Sequence, residues 1–208
     1  MSTEIETKFN LTEHDFIVLM SQASHLATKI HTDRYYDTPG YRLFWGDWCC
    51  RIRKSFDDCE LTIKYPSTHR IPPGVTPENP SAMTREEVNI KWYGPIPNVL
   101  HPREFFPIYV QDKLEHTNAL EMLVYAGQTS NHRKILTLDG ILTFELDSVT
   151  LPNGSMYHEV EIETVYHESR TKIFRQIQEI LPGIQVTDDT KYARLVRSLN
   201  GEKSSWKH

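Results

Sequence analysis

The sequence predicts an α+β fold in which antiparallel strands dominate and a few helices cover one face of their sheet. Three observations lead there. Eight segments are rich in β-branched or aromatic residues, and most alternate in polarity: residues 4–10, 28–37, 48–55, 59–65, 86–92, 133–138, 141–149 and 156–165. Asp139-Gly140 and Pro152-Asn153-Gly154 supply hairpin turns between the last three. The few helical patterns carry apolar stripes that need a sheet to rest on.

Taken in order, the chain begins with Glu4-Ile5-Glu6-Thr7-Lys8, where alternation sends Glu4, Glu6 and Lys8 to one face and Ile5, Thr7 and Phe9 to the other. Thr12 and Asp15 form a capping-box pattern, and Phe16, Leu19, Met20 and Ala23 follow at helical spacing. In the central strands Arg51 and Arg53 oppose Ile52, Glu60, Thr62 and Lys64 oppose Leu61 and Ile63, and Glu87, Asn89 and Lys91 oppose Val88 and Ile90. Between them, residues 65–82 carry five prolines, at 66, 72, 73, 77 and 80, and read as a loop: a lid or a solvated insertion. Leu120, Leu123 and Val124 suggest a short helix before Gly127. Farther on, Glu145 and Asp147 oppose Phe144 and Leu146, and Glu159, Glu161 and Glu163 oppose Val160 and Ile162. Ser169 suits the cap of a helix bearing Ile173, Ile177 and Ile180, which Pro182-Gly183 stops. Tyr192, Leu195, Val196 and Leu199 mark a last helix, so residues 1–200 are expected to form one domain with a polar tail at 201–208.

Composition sets limits on function. A chain of 208 residues, 38% hydrophobic and 25% charged, can bury one substantial core. Its net charge of −5 gives no general reason to bind nucleic acid. No apolar run approaches the ~20 residues of a membrane span, and the acidic start lacks a signal region. Cys49, Cys50 and Cys59 are odd in number and lack a second Cys-x-x-Cys pair, and His69 is isolated, so a disulfide framework and a zinc ribbon are both disfavoured. A cytoplasmic monomer without nucleic-acid or membrane partners is the expectation.

The charged faces carry the chemistry. Each strand alone reads as half-exposed, with water on its charged side. Taken together they form a nearly continuous charged surface, which becomes a lumen if the sheet curls shut, with the helices outside. In that lumen Glu4, Glu6, Asp147, Glu161 and Glu163 offer oxygen ligands suited to a hard cation such as Mg²⁺ or Mn²⁺. Lys8, Arg51, Arg53 and Lys64 offer donors for phosphate oxygens. Like charges this dense repel one another, and a metal with a polyphosphate would neutralise both sets at once.

These residues resemble the CYTH superfamily, the triphosphate tunnel metalloenzymes, almost from end to end. Glu4-Ile5-Glu6-Thr7-Lys8 resembles its Glu-x-Glu-x-Lys signature, Tyr35-Tyr36-Asp37-Thr38 the strand after its first helix, and Arg51-Ile52-Arg53 its Arg-x-Arg. Leu61-Thr62-Ile63-Lys64, Arg85-Glu86-Glu87 and Arg133 are similar to its later strand motifs, Asp147 with Glu161-Ile162-Glu163 to its second acidic cluster, and Thr190-Lys191-Tyr192 to its late lysine. The resemblance implies an eight-stranded antiparallel β-barrel, a triphosphate tunnel, with helices packed outside. It implies that Lys8, Arg51, Arg53, Lys64, Arg133 and Lys191 bind a triphosphate, and that Glu4, Glu6, Asp147, Glu161 and Glu163 hold Mg²⁺ or Mn²⁺. Glu159 extends the same acidic face, and Lys8, Lys64, Lys191 and Glu87 fall in the expected catalytic set. For Lys191 a solvated helix start is the competing reading.

The expected reaction is hydrolysis of a terminal phosphoanhydride, with metal and basic residues neutralising developing charge. Thiamine triphosphatases of this superfamily place a tryptophan two residues before Arg-x-Arg, where this chain has Cys49; Trp48 should face the other way. Inorganic tripolyphosphate is therefore the leading substrate and thiamine triphosphate the next. A class IV adenylate cyclase and a non-catalytic polyphosphate-binding module are the alternatives.

Overall fold

Strand β1 (Ser2–Leu11) has strand neighbours along both edges, and this double pairing rolls the sheet into a ring. The computed structural model describes residues 2–66, 83–163 and 167–201. After β1 come α1 (Glu13–Gln22), β2 (Ser24–Asp37), α2 (Arg42–Trp45), β3 (Cys49–Lys54), β4 (Cys59–Pro66) and β5 (Met83–Lys91). They are followed by β6 (Val99–Leu100), α3 (Pro102–Phe105), α4 (Ile108–His116), β7 (Leu123–Thr137), β8 (Thr143–Thr150) and β9 (Met156–Glu163). The chain then forms α5 (His167–Ile180), β10 (Val186–Thr187) and α6 (Lys191–Leu199). The hydrogen-bonded path runs β1-β5-β4-β3-β2-β7-β8-β9, and β9 pairs back onto β1 from Glu6↔Glu163 to Leu11↔His158. Every pairing is antiparallel, and each of the eight strands of the ring overlaps one of the eight segments expected from the sequence, with ends that differ by a few residues or more. Short β10 extends the β5 side of β1 at Lys8 and Phe9, and short β6 adds to β7.

The ring separates charge from oil because each strand alternates. On the outside of β3, β4 and β5, Ile52, Leu61, Ile63 and Val88 pack under Val110 and Leu114 of α4. On the outside of β1, β8 and β9, Phe9, Leu146, Val160 and Ile162 pack under Leu19 of α1 and Ile173 and Ile177 of α5. Each such side chain contributes about 1.5–3 kcal/mol on burial, so these outer layers hold the barrel shut against the charges it encloses. The capping box at α1 is present: Thr12 Oγ1 accepts from the Asp15 amide at 3.1 Å, and the Asp15 carboxylate accepts from the Thr12 amide at 3.0 Å.

A third, smaller apolar cluster closes one end of the barrel. Tyr35 and Cys49 meet Tyr192, Leu195 and Val196 of α6 there. Gly127 permits this contact. Its φ is +155°, and a Cβ at that position would lie 3.1–3.2 Å from the side chains of Leu199 and Leu195. A β-bulge in the β2–β7 ladder falls beside it, between Tyr35 and Tyr36.

Several expectations need correction. Leu123 and Val124 belong to long strand β7 and form no short helix; pairing with β2 from Val124 onward, and with β6 at both residues, overrides a brief helical spacing. β2 starts at Ser24, four residues ahead of the expected strand, and the helices α2, α3 and α4 were not anticipated. Residues 67–82, within the expected lid or insertion, lie outside the described residues, as do His69 and residues 202–208 of the tail. Among the described residues no helix is long and apolar enough to cross a membrane.

Candidate active site

The inward side chains enclose a cavity of about 250 Å³ inside the ring. Of the residues expected from the sequence, Lys8, Arg51, Arg53, Lys64, Arg133 and Lys191 all line it. Glu6, Glu87, Glu161 and Glu163 line it too. Asp147 is fully buried within hydrogen-bonding distance of Arg133, and the side chain of Glu4 lies outside the described part of the chain. Lys191 is buried and turned inward, so it is not a solvated helix start.

One wall, built by β8, β9 and β1, is acidic with cations threaded through it. Ladder pairing sets Glu145 beside Glu161 and Glu161 beside Lys8, with Asp147 beside Glu159 in the next row. Asp147, Glu159 and Glu161 each present a carboxylate oxygen within 4.8 Å of the others. Lys191 Nζ reaches Glu161 at 2.5 Å and Asp147 at 2.9 Å, and it also touches Glu159. Lys8 Nζ lies 2.7 Å from Glu161 and 3.1 Å from Glu6. Arg133 grips both oxygens of Asp147, at 2.7 and 2.8 Å, and donates to Glu161 at 2.5 Å. It also pairs with Glu145.

Burial drives these carboxylates toward the neutral form, and the cations decide which of them yields. Burial raises the Asp147 carboxyl, but Lys191 and Arg133 outweigh it and hold it at about 2. Burial likewise opposes ionisation of Glu161, and Lys191, Lys8 and Arg133 overcome it, keeping that carboxyl well below its ordinary value. At Glu159 and Glu145 burial wins and their pKa values rise, despite Lys191 at the first and Arg133 at the second. The wall is thus a set of carboxyl oxygens held close together by cations, most strongly at Asp147 and Glu161. An all-oxygen donor set of this kind fits a hard cation such as Mg²⁺ or Mn²⁺.

The facing wall, on β3, β4 and β5, is basic. Arg51, Arg53, Lys64 and Arg85 converge on the cavity from these strands. Lys64 Nζ lies 3.4 Å from Glu87, its ladder partner on β5. The guanidinium fork of Arg53 is taken up by Asp33 of β2, at 2.7 and 2.8 Å, and Arg51 Nη1 lies 3.5 Å from the same carboxylate. Asp33 is fully buried. Burial would raise its pKa, but Arg51 and Arg53 drive it far below the carboxylate range. Nearby His31 is pushed down to about 3, by burial first and then by Arg53, and is neutral; Asn131 Nδ2 donates to its Nε2 at 3.2 Å.

The closed end is aromatic. The Tyr35 and Tyr192 rings stack with centroids 5.1 Å apart, and the Tyr192 hydroxyl donates to Asp37 at 2.6 Å. Asp37 also accepts from the amides of Leu43 and Phe44, so one buried carboxylate ties α6, and with it Lys191, to α2. Cys49 lines the cavity, whereas Trp48 faces the outer core and stacks on Tyr65 at 4.8 Å.

Sequence reasoning missed Arg85, Tyr35 and Tyr192 as cavity residues and Asp33 as the buried partner of Arg53, and it set Glu159 beside the metal set without including it. The alternation of Asp33 and Tyr35 along β2 puts them on one face; which arginine each meets depends on the β2–β3 register, Asp33 opposite Arg53 and Tyr35 opposite Arg51. The metal-like cluster gathers Glu159 with Glu161, while Glu163 stands exposed at the rim. For Arg85 the signal was the same alternation, since it stands two residues before Glu87 on the face that Glu87 and Asn89 share.

Comparison with known proteins agrees with this fold. The sequence profile of the CYTH domain matches residues 2–196. No curated protein matches the chain significantly. Among solved structures, a Bacillus halodurans protein described as a candidate adenylate cyclase is 22% identical, with a TM-score of 0.66, over 93% of this chain and 98% of its own. A Hippeastrum protein described as a candidate adenylyl cyclase with a dominant triphosphatase activity is 18% identical, with a TM-score of 0.66, over the full length of both chains. A Pyrococcus horikoshii protein is 17% identical, with a TM-score of 0.60, over 94% of this chain and 99% of its own. At these identities the likeness is one of fold.

Proposed function

The chain belongs to the CYTH domain family, and we propose that it is a metal-dependent triphosphatase that hydrolyses the terminal phosphoanhydride of inorganic tripolyphosphate, with thiamine triphosphate as the next substrate. One observation carries this reading: a cavity inside the ring sets a basic wall against a buried acidic cluster. An anion-binding module would be better served without those carboxylates, which repel the ligand unless something neutralises them.

Asp147, Glu159 and Glu161 would hold Mg²⁺ or Mn²⁺, with Glu6 and Glu163 at the open side. The metal would supply Lewis-acid neutralisation of phosphate charge. Arg51, Arg53 and Lys64 would grip the phosphate chain from the opposite wall, orient it along the cavity and stabilise the diphosphate as it leaves. Lys8, Lys191 and Arg133 are already shared among carboxylates and can turn donors to incoming phosphate oxygens without crossing the cavity. The preference for a bare polyphosphate is supported by the side chains near the basic wall. Cys49 offers no stacking surface, Trp48 is committed to the outer core, and the Tyr35 and Tyr192 rings bury each other. Free cysteines suit a cytoplasmic setting, and we read the protein as a monomer there.

The Hippeastrum neighbour's description joins cyclase and triphosphatase activities, so the two readings are tested together. Phosphate release is measured from tripolyphosphate, thiamine triphosphate and ATP, each with magnesium or manganese. Hydrolysis of tripolyphosphate at least as efficient as that of thiamine triphosphate, and weaker on ATP, is expected. Cyclic AMP with diphosphate as products from ATP would replace this reading with that of a cyclase.

A further inference from the structure

We propose that Arg85 is an additional anion-binding residue and that Asp47 competes with the substrate for it. This inference rests on reading the cavity as a polyphosphate site. Arg85 projects from β5 into the cavity and is only 7% exposed. Its Nη2 donates to Asp47 Oδ1 at 2.5 Å, while its buried Nε has no acceptor among the described residues. A buried donor without a partner is costly and uncommon, and here it belongs to a cation beside Lys64 in a cavity built for anions. A phosphate oxygen would satisfy it.

The partner Arg85 already has is a weak one. Asp47 sits in the turn between α2 and β3 with φ +60°, and its side chain is 65% exposed. β4 lies between β3 and β5, so the pair reaches from a surface turn over an intervening strand to the cavity wall. An ion pair with one partner so hydrated is worth little. A polyphosphate carrying several charges can take the guanidinium from it. Bound to Asp47, Arg85 is held in place and partly neutralised; released, it adds a charge to the basic wall. The Asp47 carboxylate therefore sets how tightly the cavity holds an anion, and in particular how readily product leaves.

The test uses the full chain, titrated calorimetrically with inorganic tripolyphosphate in chelator and again with calcium. The variants are Arg85→Ala, Asp47→Asn and the double variant. Asparagine removes the charge and tolerates the left-handed backbone. Arg85→Ala should weaken binding about tenfold or more, the size of a charge-assisted contact. Asp47→Asn should tighten binding about two- to fivefold, the range of an exposed ion pair, and should do nothing in the Arg85→Ala background. If the wild type binds tripolyphosphate but Asp47→Asn weakens or does not change binding, the competition is wrong and the pair is a structural brace. Unchanged binding in Arg85→Ala would remove that residue from the site. A wild type that binds no tripolyphosphate under either condition would overturn the reading of the cavity and this inference with it.

Discussion

Replacing Asp33 with asparagine should expose how the basic wall is held. Asp33 is fully buried and accepts two short bonds from the Arg53 fork, with Arg51 Nη1 a further 3.5 Å contact. Charge-assisted bonds of this kind are worth about 1.5–3 kcal/mol each, and removing one partner of a buried pair costs about 3–5 kcal/mol because the other charge is stranded. The Arg53 and Arg51 side chains keep 21% and 13% exposure, so water relieves part of that cost, and the asparagine oxygen retains one bond. A loss of about 2–3 kcal/mol is expected. For a domain of this size it lowers the Tm by roughly 4–12 °C, read by circular dichroism. The pH dependence has a definite sign. The Asp33 pKa is depressed in the folded state, so its contribution is present above the unfolded carboxyl value near 4 and is lost as pH falls below it. The gap between wild type and Asp33→Asn should stay constant from neutrality down to about pH 4 and narrow as the buffer is acidified further. A Tm within about 1 °C of wild type at neutral pH would refute the clamp. So would a penalty that persists in full in an Arg51→Ala/Arg53→Ala background.

Three further outcomes follow from the same geometry. Arg51→Ala should reduce kcat/KM for every triphosphate tested more than Arg53→Ala does, because Asp33 already occupies the Arg53 fork; steady-state kinetics showing the reverse order would contradict that division. Glu161→Gln should lower triphosphatase activity more than a hundredfold, about 2.7 kcal/mol in transition-state terms, since it removes both a donor to the proposed metal and the shared partner of Lys8, Lys191 and Arg133; full activity in this variant or in excess chelator would sink the metal assignment. His31, held neutral with a pKa lowered to about 3, makes the unfolded chain bind the extra proton, so stability should fall as pH drops from about 6.5 toward 3, by at most about 1.4 kcal/mol per unit; urea melts of His31→Asn should lack that component.

Alternation carried most of what the sequence revealed. A period of two sorts residues onto faces without knowledge of any partner, which is why Lys8, Arg51, Arg53, Lys64 and Glu161 could be placed on the inner surface before any ladder was known. What stayed hidden depended on register. Asp33 clamps Arg53 because β2 and β3 pair Asp33↔Arg53, and Lys8 meets Glu161 because β1 pairs with a strand that comes about 150 residues later. No local pattern encodes those distances. The selection of Glu159 over Glu163 for the buried cluster is of the same kind: both lie on the acidic face, and only the depth of β9 in the barrel separates them. The misread segment at Leu120 to Val124 failed for the opposite reason, because a short helical spacing was trusted where long-range pairing decided.

The return of β9 to β1 also has a kinetic consequence. A chain whose first strand must find strands made much later folds slowly, since loop-closure entropy is lost before those contacts form. Until β9 arrives, residues 6–11 of β1 present an unpaired edge, the kind of surface on which chains associate wrongly. Lys191 comes later still, on the last described helix. A growing chain would hold its arginines, its carboxylates and two outer helical layers and yet lack the cation that binds Asp147, Glu159 and Glu161 together. Completion of the barrel therefore comes late, and assembly of its charged interior comes later still.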